Sequence, residues 1–120
     1  MPSDENVPPT YWGTIDEMPS LSPLPGVTMW PAAGSRMMIN FVRIDPGAEV
    51  PLHAHPHEQG GTVIEGLIHM TIDGETRALR AGDVYIAPPN AVHGATAGPE
   101  GCLVVDIFSP PREDYVIPAE

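Results

Sequence analysis

The sequence predicts an all-β fold, an antiparallel sandwich or barrel, and three observations indicate it. Short apolar runs recur between residues 37 and 108, prolines and glycines separate them, and no helical pattern extends over ten residues. The 16 prolines and 12 glycines would indicate disorder if they clustered with polar residues, but here they punctuate apolar segments. Such regular turn signals are typical of about eight short antiparallel strands.

The first predicted core strand covers residues 37–44, which carry apolar side chains on both faces. Pro46 and Gly47 then form a turn. Gly60, Gly61 and Gly66 are expected to interrupt the chain around a strand at 62–65, and Asp73-Gly74 is the strongest hairpin signal. The other predicted strands are 67–72, 75–79, 84–87, one that opens at His93 and turns at 98–101, and 102–108.

The two ends of the chain are expected to lie outside this core, which spans residues 37–108. Residues 1–10 are polar and proline-rich, which predicts a flexible arm. Residues 11–31 carry large apolar side chains among prolines, and we expect irregular structure, edge strands and a possible subunit contact. Residues 109–120 lack periodicity and form a tail, so the 120 residues are expected to make a single domain.

The chain is strongly acidic, with 16 acidic residues against five arginines and no lysine, for a formal net charge of -11. Such a surface repels phosphate backbones, so no nucleic-acid partner is expected. The absence of lysine excludes Schiff-base chemistry. Cys102 is the only cysteine, which excludes an internal disulfide. No apolar stretch approaches the roughly 18 residues of a membrane span, and the N-terminus lacks a signal sequence, so we expect a soluble cytoplasmic protein without a membrane partner.

Three of the five histidines fall within residues 51–59, whose sequence is PLHAHPHEQ. Successive side chains of an extended strand point to opposite faces, so His53 and His55 can reach the same point. Two neutral imidazoles that converge on one point suit a divalent transition metal. The alternative is a histidine-rich surface turn, which the tightness of the cluster and a distant fourth histidine, His93, disfavour.

The spacing of glycines and histidines extends this pattern over two segments. The first has the order Gly47, five residues, His53-x-His55, three residues, Gln59, six residues, Gly66. Fifteen residues later, the second has the order Gly82, five residues, Pro88, then Asn90, two residues, His93. Together they resemble the two motifs of the cupin superfamily. The resemblance implies an antiparallel jelly-roll β-barrel in which His93 arrives beside His53 and His55.

The sequence departs from the usual cupin pattern at Gln59, where family members usually carry glutamate. Three neutral histidines and a neutral amide would leave the double charge of a metal uncompensated, so the site should be a stronger Lewis acid that favours an anionic ligand. Asn90 and Ala97 replace a glycine and an asparagine at structural positions, which leaves the fold assignment intact.

A closer resemblance is to the pectin-degradation cupins, and it rests on PLHAHPHEQ at 51–59 and DIFSPPREDY at 106–115. Proteins of that family convert 4,5-unsaturated monouronates from pectin or alginate breakdown to their open-chain keto form. The resemblance implies one divalent transition metal ion (Ni, Fe, Zn, Mn or Cu) held by His53, His55, Gln59 and His93. It also implies a homodimer and a substrate site formed by Asp106, Phe108 and Arg112.

The residues themselves support part of this substrate site. Asp106 interrupts an apolar strand and shares a face with Val104 and Phe108, and an inward carboxylate is costly unless it is paired or functional. The alternative for Asp106 is a salt bridge with a nearby arginine. Arg112 could be an ordinary surface cation, but its place after this strand favours binding of a substrate carboxylate, because the guanidinium fork fits carboxylates.

The remaining polar and apolar candidates have simpler interpretations. His57 has the parity of His53 and His55, but Pro56 should rotate it to the rim or second layer of the site. Exposed strand positions are expected for His69, Glu58 and Glu65. Core or pocket-wall positions are expected for Tyr85, Met38 and Met70.

Three functional hypotheses follow. The first is a metal-dependent isomerase that opens a small anionic sugar derivative, with Asp106 as general acid and base and Arg112 on the carboxylate. The second keeps the same site for a metal-dependent dioxygenase, or for a cyclase or lyase of secondary metabolism. The third is a small-ligand-binding module without turnover.

Overall fold

This computed structural model describes residues 10–117 of the chain. They contain eight antiparallel strands and one short 3₁₀ helix, joined by turns and loops. The strands are β1 Leu21–Leu24, β2 Val27–Ala33, β3 Met38–Ile44, β4 Glu49–His53, β5 Glu58–Ile72, β6 Glu75–Arg80, β7 Val84–Ala87 and β8 His93–Ser109, and the 3₁₀ helix is Glu113–Tyr115. This confirms the predicted all-β, antiparallel jelly roll. The predicted arm, apart from Thr10, and residues 118–120 of the predicted tail lie outside the described residues.

The two long strands, β5 and β8, pair along their length and join the two halves of the jelly roll. In one half, residues 58–66 of β5 and 102–109 of β8 lie between β7 and the series β3, β2, β1. In the other half, residues 67–72 of β5 and 93–97 of β8 lie between β6 and β4. One end of this second half therefore brings the start of β8 beside the end of β4.

The predicted interruptions at Gly60, Gly61 and Gly66, and the predicted turn at 98–101, are wrong, because β5 and β8 continue through them. The pairing of the two strands instead shifts register between Gly66 and Ile68. Gly66 has φ +84 and Gly101 has φ +76, a region that glycine adopts without strain. A Cβ on Gly66 would collide with the carbonyl oxygen of Gly101. These glycines allow a close backbone approach within paired strands rather than ending them.

Gly66→Ala should destabilise the protein far more than Gly74→Ala, although both glycines have φ +84. Gly74 is in the β5–β6 turn, where a Cβ would meet no other atom of residues 10–117 within 4 Å. Its substitution should therefore cost only the backbone strain, about 1–2 kcal/mol. Gly66→Ala adds a backbone collision and should cost on the order of 3–5 kcal/mol. Urea unfolding of the two variants measures the difference, and equal losses would show that Gly101 can move away freely.

The inward face of β3 confirms one half of the predicted pattern. Met38, Val42 and Ile44 are at most 2% exposed, whereas on the other face Ile39 is 39% exposed and Phe41 is half-buried, so the strand is fully covered on one face only. The Asp73-Gly74 hairpin is confirmed, with both residues at positive φ between β5 and β6.

No helix within residues 10–117 has the length and apolar character needed to cross a membrane.

Candidate metal centre

Three histidines converge at one end of the half of the jelly roll that contains β4. His53 is the last residue of β4 and His93 the first of β8, and their Cα atoms are direct partners in the ladder between these strands. His55 lies in the connection from β4 to β5. One ligand nitrogen from each ring lies within 4.8 Å of the others. The predicted arrival of the distant His93 beside the other two is therefore confirmed.

Backbone carbonyls fix the orientation of all three imidazoles. Each Nδ1 lies within hydrogen-bond distance of a carbonyl oxygen two residues away: 2.8 Å for His53 to Pro51, 3.0 Å for His55 to His57 and 2.9 Å for His93 to Ala91. A carbonyl oxygen only accepts, so each Nδ1 must carry the proton and each neutral ring keeps its lone pair on Nε2. This tautomer is the one that lets Nε2 bind a metal.

Gln59, the second residue of β5, completes the cluster with its amide. Its Oε1 lies 3.1 Å from Nε2 of His55 and 3.1 Å from Nε2 of His93. With protons on Nδ1, these three atoms all present lone pairs, and no hydrogen lies between them. A cation that accepts all three lone pairs removes this conflict, so the donor set fits a divalent transition metal.

Burial keeps the two innermost imidazoles in the form that a metal requires. Desolvation is the largest cause that lowers the pKa of His55, followed by the charge of Arg112. Desolvation also lowers the pKa of His93, against a hydrogen bond with Ala91 that raises it. Both rings are therefore neutral at neutral pH, with Nε2 available as a ligand.

A second layer of hydrogen bonds lies behind Gln59. The amide Nε2 of Gln59 donates to the Tyr85 hydroxyl at 2.7 Å, and this hydroxyl donates a short hydrogen bond to Oδ1 of Asp106. The sequence predicts Tyr85 only as core or pocket wall and misses this polar role. The sequence carries no clear signal for this role, because both neighbours of Tyr85, Val84 and Ile86, are apolar as well. Only the structure shows that these two side chains are exposed and that the Tyr85 ring points inward.

Asp106 is buried on the inward face of β8 with Val104 and Phe108, as the period of two predicts. The alternative of a salt bridge with an arginine is not found, since none of the ion pairs within residues 10–117 includes Asp106. Burial raises the pKa of Asp106 to about 6, although the hydrogen bond with Tyr85 and the nearby amide of Gln59 act in the opposite direction. Burial, and then the Asp106 charge, raise the pKa of Tyr85 well above its usual value.

Asp106→Asn should stabilise the metal-free protein at neutral and alkaline pH. A carboxyl whose pKa is raised by folding to about 6 destabilises the native state progressively as pH rises from about 4 to about 6. The asparagine variant avoids this cost, so its advantage should grow to at most about 3 kcal/mol above pH 6 and vanish below pH 4. Urea unfolding of both proteins in chelator at the two pH extremes tests this. A difference that does not vary with pH would contradict it.

A small cavity connects the histidine cluster with the predicted substrate residues. Its volume is about 50 Å³, and its lining includes His53, Gln59, His93, Asp106, Phe108 and Arg112, with an apolar wall from residues such as Met70 and Val104. The cavity thus brings three of the four predicted metal ligands and the three predicted substrate residues to one space, with Tyr115 as a further wall residue that sequence reasoning missed.

Arg112 is not an ordinary surface cation, because its side chain is only 12% exposed. Its guanidinium carbon lies 4.3 Å from the ring centre of Tyr115 and 5.5 Å from that of Phe108. Nε and Nη2 donate to the two carboxylate oxygens of Asp114, at 3.1 and 2.9 Å. Aromatic contacts and this bidentate pair hold the guanidinium at the cavity wall.

The other candidates occupy the positions that the sequence indicated. His57 is buried, lies outside the group of three histidines, and contacts Glu113 at 3.3 Å through Nε2. His69, Glu58 and Glu65 are exposed, and Met38 is in the core. Asn40 was missed: it is fully buried opposite Asp106, and its amide atoms have no hydrogen-bond partner among the described residues.

Three imidazoles that converge inside one end of an antiparallel jelly roll make a candidate metal site of the cupin type. A family model described as a cupin domain matches residues 40–108, and the chain belongs to this family.

The chain is also similar to individual cupins. It is 37% identical over 81 residues to the pectin degradation protein KdgF of Dickeya dadantii (strain 3937), an alignment that covers 67% of this chain and 74% of that protein. The structure of KdgF from Halomonas sp. is 33% identical with a TM-score of 0.83, over 88% of this chain and 98% of that one. An RmlC-like cupin from Shewanella frigidimarina NCIMB 400 is 34% identical with a TM-score of 0.83, over 90% and 97% of the two chains.

Proposed function

We propose that the protein is a metal-dependent isomerase that opens a small anionic sugar derivative, a 4,5-unsaturated monouronate, to its keto form. The observation that carries this proposal is one cavity whose lining includes His53, Gln59, His93, Asp106, Phe108 and Arg112. The similarity to the pectin degradation protein KdgF supports the substrate class.

His53, His55, Gln59 and His93 are the proposed metal ligands. A divalent metal bound there would supply Lewis acidity toward the oxygens of the substrate. The four ligands carry no charge, so the double positive charge of the metal would remain uncompensated. This favours an anionic oxygen as a further ligand. Nitrogen and oxygen donors of this kind suit Ni, Fe, Zn, Mn or Cu.

Asp106 is the proposed general acid and base. Its carboxylate lines the cavity, and its pKa of about 6 leaves it ionised but ready to accept a proton near neutral pH. It would take the proton from the hydroxyl on the carbon next to the ring oxygen, so that a C=O bond forms there while the bond from this carbon to the ring oxygen breaks and releases an enolate. It would then return the proton to the alkene carbon, which becomes saturated as the enolate turns into the ketone. Tyr85 holds one carboxylate oxygen, which orients the group for this transfer.

Arg112 is the proposed partner of the substrate carboxylate. In the protein alone its fork is occupied by Asp114, whose side chain is 59% exposed. An ion pair with so exposed a partner is worth little, about 0–1 kcal/mol, so a substrate carboxylate can share or replace it. The stacking of Arg112 on Tyr115 would hold the guanidinium in place during this exchange.

Arg112→Lys should raise KM for the uronate by about 10–100-fold and lower kcat less. The lysine keeps the charge but loses the bidentate fork and the aromatic stacking, and a hydrogen bond to a charged group is worth about 1.5–3 kcal/mol. Steady-state kinetics measure the split between the two constants. Arg36→Lys, at an exposed position, is the matched control and should leave both unchanged. An unchanged KM in the Arg112 variant would remove this residue from substrate binding.

The decisive experiment incubates metal-loaded protein with an unsaturated monouronate and follows the loss of its conjugated absorbance. The expected result is decay faster than in buffer, abolished by a chelator and restored by added metal, with equal rates under air and under nitrogen. Decay no faster than in buffer would overturn the substrate assignment. Turnover only in the presence of oxygen would instead support the dioxygenase hypothesis.

A further inference from the structure

We propose that Tyr85 is a positioning residue of the metal site, whose hydroxyl, held by Asp106, fixes the Gln59 amide with its oxygen toward His55 and His93. This inference rests on the ligand set proposed above, and it concerns how the protein prepares that set. Tyr85 belongs to β7, where it pairs with Gly61 of β5, while Gln59 pairs with Ala87. Tyr85 and Gln59 are therefore diagonal neighbours on the same face of the β5–β7 ladder.

The direction of each hydrogen bond in the chain from Asp106 to Gln59 is determined by chemistry. An ionised carboxylate only accepts, so the Tyr85 hydroxyl must use its single hydrogen on Asp106. The same oxygen can then only accept from Gln59, and of the two ends of the amide only the NH₂ can donate. The amide oxygen is therefore left for the opposite side, where it lies 3.1 Å from Nε2 of both His55 and His93.

The opposite orientation of the amide would close the metal site. A flipped Gln59 would direct its NH₂ at His55 and His93, whose Nε2 atoms carry lone pairs because their Nδ1 protons are held by carbonyls. Two ordinary hydrogen bonds would then form without a cation. That arrangement satisfies the histidines and hides the ligand atoms. Without Tyr85 and Asp106, the metal-free protein would favour this blocked state.

Burial makes the hydroxyl difficult to replace with water. Gln59 is 6% exposed, Tyr85 8% and Asp106 9%. A group that orients a metal ligand from the next layer typically contributes about 10–100-fold to metal affinity. Gln59 in place of the usual glutamate creates this requirement, because a carboxylate has two equivalent oxygens and no wrong orientation.

A double-mutant cycle between Tyr85 and Gln59 tests the proposal. Tyr85→Phe keeps the ring and removes only the hydroxyl. In the otherwise unaltered protein it should weaken Zn²⁺ or Co²⁺ binding by about 10–100-fold, measured by competition with a chelator. In the Gln59→Ala background there is no amide to orient, so the same substitution should change affinity by less than about 3-fold. The visible absorption bands of the Co²⁺-loaded protein should also change in Tyr85→Phe. They should not change in Tyr11→Phe, at a position that is 60% exposed.

Asp106→Asn provides a second route if Tyr85→Phe does not fold. An asparagine can donate to the Tyr85 oxygen, which frees the hydroxyl hydrogen for Gln59 and allows the flipped amide. Removal of the Asp106 charge also lowers metal affinity, and this loss should persist in the Gln59→Ala background. The loss that comes from the flipped Gln59 amide should disappear there. Equal losses in both backgrounds, for either variant, would overturn the proposal.

If the unaltered protein binds no metal, the ligand set and this inference both fail. If it binds metal but does not turn over the uronate, only the proposed reaction fails.

Discussion

His93→Ala should lower the affinity of the protein for a divalent transition metal by more than about 100-fold. The variant loses one of three converging imidazoles, which is a larger change than the roughly 10–100-fold expected for a group in the next layer. The remaining His53 would also lose the neighbouring imidazole ring, whose centre lies 4.4 Å from its own across the β4–β8 ladder. The loss should appear as a failure of metal to stabilise the variant against heat, because a ligand at about 100 times its Kd contributes about 2.7 kcal/mol.

His69→Ala is the matched control for this experiment. His69 is on the exposed face of β5, next to the buried Ile68 and Met70, so its removal should leave metal uptake unchanged. Elemental analysis of both purified variants and thermal unfolding with and without added metal give two independent readings. One equivalent of tightly bound metal in the His93 variant would refute the proposed ligand set. A loss of metal from both variants would indicate general damage rather than loss of a ligand.

The histidine cluster could be predicted because its information is local. His53 and His55 are separated by one residue, and their alternation alone indicates a shared face. Gln59 joined the predicted ligand set through the resemblance to the pectin-degradation cupins. His93 could be added only through the resemblance to the cupin motifs, because no local rule shows that the start of β8 pairs with the end of β4. The period of two likewise placed Asp106 on an inward face without showing what it contacts.

The second layer could not be predicted, because it depends on strand register. Tyr85 meets Gln59 and Asp106 only because β7 and β8 both pair with the same segment of β5. Asn40 is opposite Asp106 through a third pairing, between β3 and β8. A polar residue on an apolar strand signals an inward polar group at most, and its partner is set by contacts far away in the chain.

Glycine was the most misleading signal in the sequence. Gly60 and Gly61 suggest an interruption, yet both lie inside β5, where Gly61 leaves room for the side chains of Tyr85 and Asp106. Gly66 likewise reflects a close backbone approach to Gly101 of β8, and Gly101 a close approach to the carbonyl oxygen of Ile44 at the end of β3, rather than strand ends. The same composition therefore predicts a turn or a crowded strand, and only the neighbouring strand decides which.

Asp106→Asn should lower kcat for the uronate by about 10²–10⁴-fold at saturating metal, the range that a positioned general acid or base contributes. Asparagine has nearly the same shape as aspartate and can still form a hydrogen bond with the Tyr85 hydroxyl, but it cannot carry the proton. Saturating metal is required because the variant should also bind metal more weakly. Asp16→Asn, at an exposed position, should leave kcat unchanged.

The same substitution should raise the stability of the metal-free protein while it removes the activity, and these two effects have one cause. The inward position of Asp106 raises its pKa to about 6, which makes the ionised carboxylate unfavourable in the fold and effective as a base near neutral pH. A variant that is more stable above pH 6 and inactive at saturating metal supports both roles. A variant with unchanged kcat would leave Asp106 as a residue that only holds Tyr85 and Gln59, and the proton transfer would then require another group in the cavity.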